Sequence, residues 1–141
     1  MLNFVFLSDK FYDDYSGCPE IEQKQKRPYI QIEVVVDGVL FGVPLRSSIN
    51  HPHVLWTDKQ NHCGVDFSKA VVISKPDDYI DTTTPHIRQN EFDALRGKEH
   101  VIKNKLKKYI SDYKKAKENP DLWRNKMLLK YSTLQYFEEY L

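Results

Sequence analysis

The sequence predicts an α+β domain in which antiparallel strands come first and helices follow. The first half is rich in β-branched and aromatic residues, and a two-residue Asp37-Gly38 turn separates two apolar runs. The last third repeats apolar side chains at helical spacing. At 141 residues the chain fits one domain, 1–141, with a single core.

The front of the chain is expected to form short strands and one short helix. Met1 to Leu7 predicts a first strand, because it lacks the basic lead and the length of a signal peptide or a membrane span. Lys10 to Tyr15 predicts a helix, and 16–25 a polar loop. Tyr29 to Val36 and Val39 to Leu45 are expected to pair as a hairpin. Three further short strands are expected at Val54 to Trp56, Gly64 to Phe67 and Ala70 to Ile73. A turn-rich crossing is expected over 76–85.

The back of the chain is expected to be helical. A first helix is predicted from about Arg88 to Arg96, where Gly97 closes it. Pro120 suits the first turn of a helix through about Leu129, and Ser132 to Gln135 matches a capping box that opens a last helix. Between them lies a longer helix whose predicted apolar face comprises Ile102, Leu106, Tyr109, Ile110 and Tyr113.

Composition and charge bound the class of protein. With 40% hydrophobic and 29% charged residues, the chain is neither membrane-like nor disordered in composition. The net charge is only +1, but residues 98–117 hold eight lysines against two carboxylates, a local balance of +6. A concentrated basic face can bind a polyanion even when the whole protein is nearly neutral. Cys18 and Cys63 are expected to be reduced thiols in a cytoplasm.

Cations, hydroxyls and imidazoles flank the predicted hairpin. Arg27 precedes the first strand, Arg46 and Ser47 end the second, and His51 follows a few residues later. These groups suit attack of a ribose 2′-hydroxyl on the neighbouring phosphate, which needs positive charge on the phosphorane oxygens and an acceptor for the proton. We expect the arginines to supply the charge and His51 to act as base, with His53 the next candidate. Ser47 would hydrogen-bond a non-bridging oxygen or help to shuttle a proton.

Further residues are candidates for holding RNA. Three tyrosines beside polar turns, Tyr12, Tyr15 and Tyr29, suit stacking on splayed bases. Tyr109 and Tyr113 are expected in the core instead. The basic segment supplies candidate phosphate contacts at Lys98, Lys103, Lys107, Lys108 and Lys114. A run of charged residues is usually only the solvated side of a helix. Here nearly all of the charges are positive, and this excess favours RNA binding.

Two other kinds of site could use histidines and a cysteine from the same part of the chain. A zinc site would use His51, His53, His62 and Cys63, but the set lacks a Cys-x-x-Cys knuckle and a carboxylate that orients the ligands. A thiol hydrolase would pair Cys63 with a histidine, yet no oxyanion loop or orienting residue can be picked out. We therefore expect no metal and no small-molecule cofactor.

Several short strings, in this order, carry a resemblance to a known family. They are Phe11 to Tyr15, Arg27-Pro28-Tyr29, Pro44 to Ser47, Cys63 to Phe67, Ile87 to Phe92 and Tyr131 to Phe137, and they cover nearly the whole chain. Together they resemble the toxins of type III toxin-antitoxin systems, the ToxN/AbiQ endoribonucleases, and most of all the TenpN branch. Each string alone is weak, and their order and spacing make the match.

The resemblance implies a fold and an activity. The fold would be a compact, barrel-like antiparallel sheet similar to that of the MazF and Kid toxins, with helices packed around it and several in the C-terminal third. The activity would be metal-independent cleavage of single-stranded RNA, which leaves a 2′,3′-cyclic phosphate and a 5′-hydroxyl. Arg27 stands where the family's active-site cation is usually lysine. The family's hydroxyl pair falls on Arg46 and Ser47, so arginine stands where relatives can have threonine.

The resemblance also implies partners. Such toxins are inhibited by a pseudoknotted RNA antitoxin, which they process from a repeat precursor and with which they form ring-like hetero-oligomers. The substrates would be cellular or phage RNA, without a membrane. Other expected RNA contacts are Lys26, Ser48, His53 and Ser132. The rival hypotheses are a non-catalytic RNA-binding module on the same fold and a protein-protein regulator.

Overall fold

The computed structural model describes residues 1–21 and 29–141, in which six strands form one antiparallel sheet and five α-helices accompany it. The α+β class is therefore confirmed. The strands are β1 (Phe4–Phe6), β2 (Ile30–Val36), β3 (Val39–Arg46), β4 (Val54–Asp58), β5 (Cys63–Asp66) and β6 (Val71–Val72). The helices are α1 (Asp9–Asp14), α2 (Pro76–Tyr79), α3 (Gln89–Leu95), α4 (Glu99–Glu118) and α5 (Trp123–Tyr131).

The β2–β3 hairpin forms as the Asp37-Gly38 pair predicts. Both turn residues have positive φ, 50° at Asp37 and 78° at Gly38, which is the backbone of a tight hairpin turn between twisted strands. The register runs from Val36 opposite Val39 to Gln31 opposite Pro44. Because this ladder is antiparallel and long, it fixes the direction in which Arg46 leaves β3.

Strand β3 is the branch point of the sheet. The strand order is β1-β2-β3-β5-β4, and β6 also pairs with β3. The middle of β3 pairs with β6 at Phe41 and Gly42, whereas its end pairs with β5, where Arg46 lies opposite Gly64. A Cβ at Gly64 would lie 2.5 Å from the carbonyl oxygen of Leu55 in β4, so this close approach of strands requires glycine.

The described sheet is open. Its path ends at β1 and at β4, and these edge strands do not pair with each other. Helix α3 packs against β4, and α4 packs against β2 and α5. The closed, barrel-like sheet expected from the resemblance is therefore not confirmed.

Several elements differ from the sequence prediction. Helix α5 begins at Trp123, not at Pro120. The segment that follows is a 3₁₀ turn over Thr133–Tyr136, where the Ser132 hydroxyl accepts from the Leu134 N–H. The Gln135 amide donates to the carbonyl oxygen of Ser132 and does not accept from its N–H, so the capping box is incomplete. Strand β6 comprises only Val71–Val72 of the predicted strand 70–73, and the segment 76–85 contains α2.

Helix α4 buries the predicted apolar face. Ile102, Leu106, Tyr109, Ile110 and Tyr113 are all buried in the core. Its lysines occupy the exposed positions of the helix. Among the described residues, no helix has both the length and the apolar composition needed to cross a membrane.

Candidate functional site

Two strand ends place a guanidinium on a buried carboxylate. Arg46 is the last residue of β3 and Asp66 is the last residue of β5. Arg46 Nη1 lies 2.6 Å from Asp66 Oδ2, and the Asp66 side chain is fully buried while that of Arg46 is 20% exposed. The guanidinium therefore stays at the surface of the sheet end in a fixed direction.

The other oxygen of Asp66 organises the segment after β5. Asp66 Oδ1 accepts hydrogen bonds from the Ser68 N–H at 2.9 Å and the Ser68 hydroxyl at 2.6 Å, and it lies 3.1 Å from His51 Nε2. Burial alone would raise the pKa of this carboxyl, but the hydrogen bonds from His51, Ser68 and Arg46 outweigh burial and hold the pKa of Asp66 below its usual value. Asp66 is therefore an anion on which a guanidinium and an imidazole converge.

His51 is held at both ring nitrogens. Its Nδ1 accepts from the His53 N–H at 3.1 Å, and its Nε2 faces Asp66 Oδ1 and the Ser68 hydroxyl. The neutral ring consequently carries its proton on Nε2, and its lone pair on Nδ1 is occupied by the backbone. This arrangement orients the ring and leaves neither nitrogen open to a substrate.

His53 has a different environment. Its ring meets Tyr109 edge-on at 5.2 Å between centroids and lies 5.7 Å from the His51 ring. Burial lowers the pKa of His53, and the neighbouring His51 lowers it further. Within the described residues, no hydrogen bond engages a ring nitrogen of His53. A half-buried neutral imidazole with an open nitrogen is suited to accept a proton.

The segment after β3 exposes two hydroxyls. Ser47 and Ser48 are both exposed, and Ser48 has a φ of 57°, in the left-handed region. The next residue, Ile49, is buried and tied to His62: the Ile49 N–H donates to the His62 carbonyl at 3.1 Å, and His62 Nδ1 lies 3.0 Å from the Ile49 carbonyl. These contacts hold the serines in place beside Arg46.

Cavities on either side of Arg46 share its side chain. The first, of about 530 Å³, is called here the Ser47 cavity and is lined by Phe6, Tyr29, Ile30, Leu45, Arg46, Ser47, Cys63, His86, Ile87, Arg88 and Glu91. The second, of about 610 Å³, is called the α5 cleft; its lining includes Arg46, His51, His53, Ser68, Lys69, Tyr109, Trp123, Arg124, Met127, Leu128 and Tyr131. His53 and Tyr109 also line a third cavity with Lys105 and Lys108 of α4. Each cavity thus shares lining residues with the next, from β2 to α4.

The predicted base-stacking tyrosines occupy unequal positions. Tyr12 is only 7% exposed, and burial raises its pKa to about 12. Tyr15 is half-buried and packs on Phe11 and Phe137. Tyr29 is half-buried at the edge of the Ser47 cavity, with the Arg46 guanidinium 5.8 Å from its ring centroid. Of the three, Tyr29 has the position that stacking requires, and burial removes Tyr12 from the expected RNA contacts.

Ser132 is also buried. Its hydroxyl accepts from the Tyr109 hydroxyl at 2.8 Å and from the Leu134 N–H at 3.2 Å. At 1% exposure it ties α4 to the C-terminal segment and offers no surface to RNA. The prediction of an RNA contact at Ser132 is therefore replaced by a structural role.

The basic segment has the expected exposure. Its candidate phosphate contacts, Lys98, Lys103, Lys107, Lys108 and Lys114, are all exposed. Lys108 forms an ion pair with Asp112 at 2.8 Å, which offsets part of its charge. Two other candidates, Lys26 and Arg27, lie outside the described residues, so the position of the predicted active-site cation relative to Arg46 stays a prediction.

The alternative sites do not assemble. The described residues contain no group of three or more histidine, cysteine or carboxylate side chains that could hold a metal ion, so the zinc set around His62 does not come together. Cys63 is buried beside the Asn61 carbonyl, and burial raises the pKa of its thiol. A raised pKa is the reverse of what a cysteine nucleophile needs.

Sequence reasoning missed Asp66 and the aromatic residues of α5. Asp66 lies between Val65 and Phe67 in what reads as an ordinary strand, and alternation along that strand would place its side chain on the face opposite these apolar neighbours. The sequence therefore carries no signal that Asp66 is buried. Trp123 falls within the predicted helix from Pro120 to about Leu129 and Tyr131 lies just beyond it, and neither was expected to be a site residue, although they are 73% and 53% exposed. The exposure of a tryptophan, which would have marked this surface, cannot be read from the sequence alone.

No protein-family model, curated protein or solved structure matches this chain. The likeness to type III toxins consequently stays an expectation from the short strings in the sequence.

Proposed function

We propose that this protein is an endoribonuclease that cleaves single-stranded RNA by attack of the 2′-hydroxyl, without a metal ion, and that it acts as the toxin of a type III toxin-antitoxin system. The observation that carries the proposal is the convergence of Arg46 and His51 on buried Asp66, next to exposed Ser47 and the open nitrogen of His53. These are the groups that a phosphoryl transfer of this kind needs.

Each group has a role in the proposed reaction. Arg46 binds the non-bridging oxygens and stabilises the charge that grows on them, and the resemblance adds Arg27 to this task. Ser47 donates a hydrogen bond to the same phosphate. His53 takes the proton of the 2′-hydroxyl, because its lowered pKa keeps it neutral near pH 7. The bond from phosphorus to the 5′-oxygen then breaks, and this oxygen takes a proton from water, which leaves a 5′-hydroxyl and the 2′,3′-cyclic phosphate; protonated His53 returns its proton to solvent.

His51 is given a positioning role in this scheme in place of the role of base. Its two nitrogens are bonded to Asp66 and to the His53 N–H, so it connects the carboxylate that holds Arg46 to the residue that carries the proposed base. Loss of His51 would therefore displace both Arg46 and His53.

The partners follow from the resemblance and the basic helix. We propose a pseudoknotted RNA antitoxin that binds the exposed lysines of α4 and forms a ring-like toxin-RNA assembly in the cytoplasm, with cellular or phage RNA as substrate. The cavity shared by His53, Lys105 and Lys108 supports a path for RNA from the cleavage site to this helix. Tandem short repeats in the DNA upstream of the gene are the expected source of such an RNA.

The deciding experiment is cleavage of a single-stranded RNA in excess chelator. We expect fragments that end in 2′,3′-cyclic phosphate and 5′-hydroxyl groups. Ser47→Ala should abolish cleavage and growth inhibition without loss of folding, because Ser47 is exposed. The matched control is Ser111→Ala, at an exposed serine of α4. Full activity of Ser47→Ala at matched expression would contradict the proposed site.

The rival is an RNA-binding module without catalysis. The hydrogen bonds at both nitrogens of His51 favour this rival. His51 lies beside Asp66, the partner of Arg46, yet it can only orient its neighbours. Under this rival, Arg46 clamps a phosphate and RNA survives incubation with the protein. A protein-protein regulator, the third hypothesis, would bind RNA weakly and without dependence on salt.

A further inference from the structure

Helix α5 presents two aromatic rings to solvent at the edge of the proposed site. Trp123 begins the helix with 73% of its surface exposed, and Tyr131 ends it with 53% exposed. Eight residues of helix separate them by a rise of roughly 12 Å, which is several times the roughly 3.4 Å step between stacked bases. Both rings line the α5 cleft, so each has access to the space beside Arg46 and His51.

The charge of the cleft is one-sided. Arg46, Lys69 and Arg124 line it, and none of the described lining residues is a carboxylate, since Asp66 lies beneath the surface. Arg124 is exposed and follows Trp123 directly, and it forms no ion pair within the described part of the chain. Met127 and Leu128 supply an apolar wall between the two rings. Aromatic faces, an apolar wall and cationic side chains together complement a nucleotide, with its flat base and its anionic phosphate.

We propose that the α5 cleft is a base-binding subsite for single-stranded RNA, in which Trp123 and Tyr131 stack on separate bases and Arg124, next to Trp123, contacts a phosphate of the strand that connects them. The inference rests on the proposed function for its substrate, and it adds the nucleotides on one side of the phosphate at Arg46. Stacking tolerates every base, so this subsite sets affinity and the placement of the strand more than sequence choice.

The test measures binding apart from cleavage. Trp56→Phe leaves Trp123 as the single tryptophan, because the chain has two. A short oligonucleotide with 2′-O-methyl riboses, which lacks the attacking hydroxyl, is titrated while tryptophan fluorescence is followed. We expect saturable quenching that weakens as salt rises. If Trp56→Phe does not fold, anisotropy of a labelled copy of the same oligonucleotide on the otherwise unchanged protein replaces the fluorescence measurement.

Matched variants locate the binding energy. Trp123→Ala and Tyr131→Ala should each raise the Kd of the oligonucleotide roughly 5- to 150-fold, the range for loss of one base stack, and Trp123→Phe should recover part of the loss. The controls are Leu122→Ala and Tyr140→Ala, at residues that are 49% and 37% exposed and lie outside the cleft lining. Neither control should change the Kd by more than about twofold.

The outcomes separate this inference from the proposed function. Unchanged affinity in both aromatic variants, with RNA still cleaved, would overturn the subsite and leave the nuclease standing. Binding that depends on Trp123 and Tyr131, with no RNA cleaved under any condition, would support the subsite and overturn the nuclease. Equal losses in the Leu122→Ala and Tyr140→Ala controls would also overturn the subsite, because the effect would not belong to the cleft.

Discussion

Asp66→Asn removes the charge on which Arg46 and His51 converge and keeps the shape of the side chain. The carboxylate has four close partners: Arg46 Nη1 at 2.6 Å, His51 Nε2 at 3.1 Å, and the hydroxyl and N–H of Ser68 at 2.6 and 2.9 Å. The amide keeps an acceptor oxygen at only one of the two oxygen positions. Its NH₂ group then faces either Arg46 at the Oδ2 position or Ser68 and His51 at the Oδ1 position, so at least one hydrogen bond is lost.

The expected loss of stability follows from the burial of the pair. Removing one partner of a buried ion pair costs about 3–5 kcal/mol. Because Arg46 and His51 keep 20% and 26% of their side chains exposed, water compensates part of the loss. We expect the free energy of unfolding to fall by about 3 kcal/mol, the low end of that range. For a chain of this size, the unfolding midpoint should drop by roughly 6–12 °C.

Urea unfolding followed by circular dichroism measures this loss, and RNA cleavage measures the effect on the site. Asp112→Asn is the matched control, since Asp112 pairs with Lys108 on the surface and its loss should cost at most about 0.5 kcal/mol. The wild-type advantage over Asp66→Asn should be complete above the usual carboxyl pKa. It should shrink as pH falls through the lowered pKa of folded Asp66. A variant that is as stable and as active as wild type would refute the claim that Asp66 holds Arg46 and His51.

Three other predictions concern different parts of the molecule. Burial lowers the pKa of His53 below its usual value of about 6.5. As pH drops below 6.5, the unfolded chain therefore binds a proton at His53 before the folded protein does, and stability should fall. His53→Gln should weaken this pH dependence in urea titrations across the same range. Replacing Lys103, Lys107 and Lys114 with alanine should weaken the binding of antitoxin RNA and reduce the slope of log affinity against log salt by roughly one unit per lost contact. Cleavage of a short substrate should change much less. An unchanged slope would mean that these lysines are only the solvated face of the helix. Gly64→Ala should cost about 1–3 kcal/mol in thermal unfolding, because its Cβ meets the Leu55 carbonyl at 2.5 Å, whereas Gly17→Ala, with open space around it, should not.

The parts of the fold that the sequence predicts well are those with strong local signals. The Asp37-Gly38 turn specifies a hairpin through backbone angles that few other residue pairs adopt, and α4 repeats its apolar residues over about four turns. The start of α5 was misplaced because Pro120 is compatible with a helix start but does not require one. Closure of the sheet depends on whether distant edge strands meet, and no local pattern encodes that.

The site was predictable in part for the same reason. Arg46, Ser47 and His51 stand at strand ends that the hairpin pattern locates, so their proximity could be expected. The hub of the site could not, because Asp66 differs from a surface aspartate only in what surrounds it after folding. Tyr12 and Trp123 show the same limit from both directions, since a polar neighbourhood in sequence indicated exposure for Tyr12, which is buried, and the predicted helix gave no sign that Trp123 is exposed.

The branching of the sheet at β3 has a consequence for how the proposed activity can be controlled. Arg46 pairs with Gly64 of β5 and is the last residue of a strand that β2, β5 and β6 all share, and this strand can be released only when several ladders break together. Such segments open at close to the full free energy of unfolding. An inhibitor that worked by melting the site would have to unfold the protein, whereas one that covers the exposed end of β3 leaves it ready to act on release. Under control by a reversible inhibitor of this kind, the protein stays folded, and its activity returns at the rate at which the inhibitor dissociates rather than at the rate of refolding.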